Sequence, residues 1–132
     1  MIIAVSCSSG STESQIDLRF GRCPFFSIFE VKNGKIVKED VVRNPGMNAF
    51  RGAGIQAAQL LANRGVNVVI TGRIGPNAFS ALSMAGIKVV IAYGMTARKA
   101  AEKYIKGELE ESKIEPGRFG FGWGRRNERG LL

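Results

Sequence analysis

The densest chemistry in this 132-residue chain lies in Leu18-Arg19-Phe20-Gly21-Arg22-Cys23-Pro24, where a thiol stands next to one arginine and four residues from another. Positive charge near a thiol favours the thiolate, and a thiolate is a soft ligand suited to Cu(I) or iron–sulfur chemistry. The same residues also allow a plainer part for Cys23, a small buried hydrophobe at a strand entrance, which is how free cysteine ordinarily behaves. Cys7 ends an apolar run and is a companion ligand if the two strand ends meet, or else a buried structural residue. With only two cysteines in the chain, a four-thiolate zinc or iron–sulfur site within one chain is excluded.

A second candidate is the loop Gly72-Arg73-Ile74-Gly75-Pro76-Asn77. Arg73 offers positive charge, and the backbone at Gly72 and Gly75 can offer N–H donors where a helix begins, a natural place for an anion. The polar run Ser8-Ser9-Gly10-Ser11-Thr12 could also hold an anion through its amides and hydroxyls, but it has neither a lysine nor P-loop spacing.

Several chemistries are removed by composition. There is no histidine, so Ser-His-Asp and Cys-His catalysis, histidine-ligated zinc and histidine general-base chemistry all fall away. No carboxylate occurs from Val41 to Ala101, which leaves a two-metal nuclease without its ligands. Gly52-Ala53-Gly54-Ile55-Gln56-Ala57 fits a loose G-x-G-x-x-A, but a proline-bearing loop precedes it and Thr71-Gly72-Arg73 stands where the ribose-binding acid belongs. Those glycines read instead as the close approach of a helix to a sheet. The formal net charge of +8 fits an anionic partner such as nucleic acid, a membrane surface, phosphate or an anionic metal cluster, and it also fits solubility alone.

Elements must then hold these residues. Met1-Ile2-Ile3-Ala4-Val5 opens a strand directly, without a signal-peptide pattern, and no apolar run is long enough to span a membrane; a cytoplasmic location is expected. Ile2 to Cys7 is strand one. Phe25 to Val31 and Ile36 to Val42 are antiparallel strands around Lys32-Asn33-Gly34-Lys35, a hairpin signal. Gly52 to Asn63 is a helix with Ile55, Ala58, Leu61 and Ala62 on one face. Gly65 to Gly94 reads as strand, glycine-rich turn, helix and strand: a βαβ unit with its ligand loop at the carboxyl end of a strand. Thr96 is the expected N-cap of a last helix. From Glu110 the composition changes to a Gly/Arg/aromatic tail with Arg118, Phe119, Phe121, Trp123, Arg125, Arg126 and Arg129. Its alternation of aromatics and arginines is similar to segments that stack on single-stranded nucleic acid. The expected division is an α/β domain over residues 1–109 and a flexible tail over 110–132.

The ordered set Leu18-Arg19-Phe20-Gly21-Arg22-Cys23-Pro24-Phe25-Phe26, Gly52-Ala53-Gly54, Gly65 to Ala78, and Gly86-Ile87-Lys88-Val89 resembles the dinitrogenase iron–molybdenum cofactor biosynthesis family, as a small stand-alone member. The likeness runs from Met1 to about Leu109. It implies a ribonuclease-H-like α/β fold with a mixed five-stranded sheet and flanking helices. It also implies a non-enzymatic part: binding or carrying a metal–sulfur cluster, iron–sulfur or molybdenum-containing, or a precursor such as a thiometallate, with cluster-assembly proteins as partners. The family's Phe-Gly motif falls on Phe20-Gly21, where many relatives have histidine alongside and this chain has Arg19 and Arg22. The expected site is then Cys23, with Cys7, as metal ligands and Arg19, Arg22, Gly72, Arg73 and Gly75 as cofactor-binding residues. The competing expectation is a small scaffold or regulatory protein that docks an acidic protein or nucleic acid through its basic surface and tail.

Overall fold

A computed structural model describes residues 1–112. Five strands form one mixed sheet: β1 (Ile2–Cys7), β2 (Phe25–Lys32), β3 (Lys35–Arg43), β4 (Val68–Thr71) and β5 (Lys88–Ile91). Their spatial order is β3-β2-β1-β4-β5. β1 pairs antiparallel with β2 and parallel with β4, β2 pairs antiparallel with β3, and β4 pairs parallel with β5.

Three helices cover the two faces. α1 (Ala53–Asn63) and α2 (Pro76–Met84) lie on one side, where Ala57, Leu61, Ala78 and Leu82 pack with Ala4, Phe26, Val69 and Val89. α3 (Ala97–Ile105) lies on the other, where Ala97, Ala100 and Ala101 pack with Ile3, Val5, Phe29, Ile70 and Val90. Val68-Val69-Ile70-Thr71 feeds both cores and is buried throughout, as a parallel strand covered on both faces must be. β3 at the edge stays mostly exposed, with only Val42 buried.

The punctuation follows local chemistry. Asn33 and Gly34 take φ of 54° and 74°, the pair of left-handed residues that a type I′ hairpin requires. Thr96 Oγ1 accepts from Lys99 N at 3.1 Å and caps α3, satisfying a first-turn amide that has no partner within the helix. The loop between β1 and β2, ambiguous in sequence, is pinned from outside by Arg98 of α3, which bonds Glu13, Glu39 and Thr12.

Packing does not stop at Glu110. Ser112 N donates to Val89 O at 2.7 Å and Ser112 Oγ accepts from Ile91 N at 3.1 Å, so the chain returns from α3 to the free edge of β5. The expected tail residues Arg118, Phe119, Phe121, Trp123, Arg125, Arg126 and Arg129 lie outside the described residues. No helix among the described residues is long and apolar enough to cross a membrane.

Candidate functional site

β1 and β4 are neighbours, but the chain leaves them in opposite directions, toward β2 on one side and toward α2 and β5 on the other. Loops that diverge this way at the carboxyl ends of parallel strands leave a crevice between them. Here Arg19 and Arg73, one from each loop, form a parallel bridge, and Phe20 N donates to Arg73 O at 3.2 Å. The N-terminus of α1 closes the third side. The result is a cleft of about 630 Å³, walled by Arg19-Phe20-Gly21-Arg22, Gly52-Ala53-Gly54-Ile55 and Arg73-Ile74-Gly75-Pro76-Asn77-Ala78.

The walls meet because small residues let them. A Cβ on Gly21 would lie 2.8 Å from Gly54 N, and a Cβ on Gly54 would lie 2.8 Å from Ala78 Cβ. Glycine at 21 and 54 therefore sets how closely the Phe-Gly loop, α1 and α2 approach. Asn44 ties the same loop down from behind: its Nδ2 donates to Gly21 O and Cys23 O at 3.1 and 2.8 Å, and its Oδ1 accepts from Gly46 N. At 2% exposure Asn44 has its side-chain amide fully engaged.

The electrostatics are one-sided. Arg19, Arg22 and Arg73 line the cleft. Arg22 Nη1 is fixed by Met47 O and Ala49 O in the turn before α1. Arg73 has no acceptor among the described residues. Arg19 is held by Asp17, whose hydrogen bond and charge push its guanidinium pKa up. α1 and α2 begin here with glycine caps that supply no side-chain acceptor, and neither helix has an acid in its first turn. The amides of Ala53, Gly54, Ile55, Asn77 and Ala78 donate to no protein acceptor among the described residues. Two uncapped positive helix ends beside three guanidiniums make a site for an anion.

Of the expected site residues, Arg19, Arg22, Arg73 and Gly75 are brought together. Gly72 is not in the cleft wall: a Cβ there would lie 2.6 Å from Leu18 Cδ2 and 2.9 Å from Leu18 Cα, so it serves the close passage of the two loops rather than donating to an anion. The two cysteines fall outside the cleft and on opposite faces of the sheet. Cys23 belongs to the core under α1 and α2, Cys7 to the core under α3, and both are 0% exposed. Cys7 Sγ is 3.3 Å from Ser27 Oγ. Cys23 Sγ donates to Phe20 O at 3.3 Å.

The expectation of a thiolate at Cys23 is corrected by burial. Desolvation drives that thiol's pKa far up, with the negative charge of Asp17 adding to it, while the arginines that flank it in sequence point into the cleft. Among the described residues no group of three or more Cys, Asp or Glu is arranged to hold a metal ion. Asp17, Asn44 and the contact of Gly21 with Gly54 went unread in the sequence. Asn44-Pro45-Gly46 and Asp17-Leu18-Arg19 carry local turn signals, whereas the glycine contact joins residues far apart in the chain and leaves no local trace.

The family profile described as dinitrogenase iron-molybdenum cofactor matches residues 1–107. An uncharacterized protein of Methanocaldococcus jannaschii is 35% identical over 98 residues, covering 74% of this chain and 83% of that one. The apo form of the orange protein from Desulfovibrio gigas superposes with a TM-score of 0.79 at 35% identity, covering 84% of this chain and 92% of that one. A candidate NifB protein from Thermotoga superposes with a TM-score of 0.71 at 30% identity, covering 88% and 98%. The profile spans most of the chain, and the chain belongs to the dinitrogenase iron-molybdenum cofactor family.

Proposed function

From that family membership, we propose that this protein binds and carries an anionic metal–sulfur species, a cluster or a thiometallate precursor, in the arginine cleft and without catalysing a reaction. The observation that carries the reading is the convergence of three guanidiniums and two uncapped helix N-termini on one cleft whose lining, among the described residues, includes no Cys, Asp or Glu. Such a site cannot complete the coordination sphere of a bare metal ion. It suits a cargo whose metal valences are already filled by its own sulfides and whose outer atoms accept N–H donors. The apolar part of the wall, Phe20, Ile74, Pro76 and Ala78, suits large, polarisable sulfur better than a compact hydrated oxyanion.

Cys23 and Cys7, proposed as ligands on sequence grounds, would have to leave their cores to touch this cargo. In this reading they are structural, and the cargo is held from the outer sphere. Partners follow from the part played: proteins that assemble or accept the cluster. Cytoplasmic residence belongs to the same proposal.

The test is titration with tetrathiomolybdate and, separately, molybdate, two dianions of like shape that differ in sulfur against oxygen. Wild type is expected to bind the thiometallate more tightly. Charge-assisted hydrogen bonds contribute about 1.5–3 kcal/mol, and solvent at this open rim keeps the effect at the low end. Arg73→Ala should then lose about tenfold and Cys23→Ser almost nothing. Equal affinity for the two anions, or full loss in Cys23→Ser with the fold intact, would remove the reading.

A further inference from the structure

Asp17 is the carboxylate that stands directly behind the anion cleft. At 9% exposure it is nearly buried, and Coulomb's law alone makes it a liability beside an anionic cargo. Its bonds show what it does there. Asp17 Oδ1 accepts from Arg19 N at 2.9 Å and from Arg19 Nε at 3.2 Å, and Oδ2 accepts from Arg19 Nη2 at 3.2 Å. The main chain that carries the carboxylate is itself anchored: Asp17 N donates to Ser6 O at 2.8 Å, the backbone Asp17 O accepts from Ser6 Oγ at 2.8 Å, and Ser6 Oγ lies 2.8 Å from Thr71 Oγ1. Ser6 and Thr71 are buried at the carboxyl ends of β1 and β4.

We propose that Asp17 is a positioning residue of the cleft, gripping one edge of the Arg19 guanidinium so that the other edge faces the cargo. The proposal rests on the reading of the cleft as a thiometallate site. A guanidinium has five N–H donors in a fixed plane. Asp17 takes one from Nε and one from Nη2, and no other residue among those described accepts from the side chain. Three donors remain, one on Nη2 and two on Nη1. The Arg19 side chain is 62% exposed, so without the clamp it would sample many rotamers, and binding would have to order it. The bridge that places Arg19 beside Arg73 also sets two like charges on one rim, and Asp17 offsets part of that repulsion.

The two effects of Asp17 have opposite signs, which makes the proposal testable by direction. If Asp17 acts only as a nearby negative charge, Asp17→Asn tightens anion binding. If it positions Arg19, Asp17→Asn weakens it, by about three- to tenfold from the ordering of one long side chain. The experiment is tetrathiomolybdate titration of the full chain for wild type, Asp17→Asn, Arg19→Ala and the double variant. Weakening in Asp17→Asn that vanishes in the Arg19→Ala background supports positioning, because the effect then runs through Arg19. Equal or tighter binding in Asp17→Asn, or the same loss with Arg19 absent, overturns it.

Should Asp17→Asn fail to fold, Arg19→Lys carries the test, since it keeps the charge and removes the planar fork. A loss like that of Arg19→Ala supports the clamp, and affinity like wild type overturns it. If wild type takes up no tetrathiomolybdate, the reading of the cleft falls and the proposal with it. If wild type binds and only the Asp17 prediction fails, the cleft stands and the positioning role alone is withdrawn.

Discussion

Cys23 sits next to Arg22 and four residues from Arg19 in the chain, yet neither guanidinium sets its chemistry. Its Sγ points into the core under α1 and α2 and donates to Phe20 O, so desolvation outweighs the flanking charges and the thiol stays protonated. That has a pH consequence of definite sign. In the unfolded chain the thiol ionises near pH 8.5, while in the native state it keeps its proton to much higher pH. Below about pH 8.5 both states hold the proton and the group contributes no slope. Above it the native state binds more protons than the unfolded state, so stability falls as pH rises. By pH 10 wild type should have lost about 2 kcal/mol relative to Cys23→Ser, at about 1.4 kcal/mol per pH unit beyond the unfolded value. Urea denaturation of the two proteins at pH 7.5, 9 and 10 measures the difference, and parallel curves would show that the thiol ionises freely in the native state.

At the scale of elements, much of the architecture was legible. Buried strands announced themselves as short β-branched runs, the hairpin as Asn33-Gly34, and α3 by its cap at Thr96, because each rests on contacts within a few residues. β4 is shorter than its apolar run suggests: Val66 packs in the core but leaves its strand position to a turn, with its N–H bonded to Leu61 O. The cleft was half legible. Its arginines and the turn at Gly75 stood out by type, but the arrival of α1 at the same place depends on Gly21, Gly54 and Ala78 meeting across long stretches of chain. Gly54→Ala tests that contact. Helix propensity alone would favour alanine by up to about 1 kcal/mol. A Cβ 2.8 Å from Ala78 Cβ forces α1 and α2 apart, and overpacking of this kind costs about 1–3 kcal/mol. The clash should win, lowering the midpoint of thermal unfolding and weakening thiometallate uptake together. Gly75→Ala is the control for stability, because its Cβ would meet nothing within 4 Å and its φ of −84° suits any residue. If Gly54→Ala melts no lower than Gly75→Ala, close packing of the cleft walls is not what position 54 is for.

For the molecule as a whole, the question is which part of its positive charge recognises the partner. The chain carries a net charge of +8, and residues 113–132 hold Lys113 and four arginines against two glutamates. A tail that docks an acidic protein or nucleic acid and a cleft that holds a metal–sulfur anion make opposite predictions for its removal. Every residue assigned to the cleft lies between Asp17 and Ala78, and the sheet edge is completed by Ser112, whose N–H and hydroxyl bond Val89 and Ile91. The cut therefore belongs after Ser112, since ending the chain at Leu109 would strip an edge interaction and confuse stability with binding. At 0.15 M salt the Debye length is about 8 Å, so tail charges not in contact with the cleft act on it only weakly. Removal of residues 113–132 should change tetrathiomolybdate affinity by less than about threefold at that salt while leaving the unfolding midpoint in place. Single-stranded DNA binding, if the full chain shows any, should vanish with the tail and should fall steeply with salt beforehand. A truncated chain that keeps its fold and loses the thiometallate would place recognition in the tail and leave the cleft as scaffold.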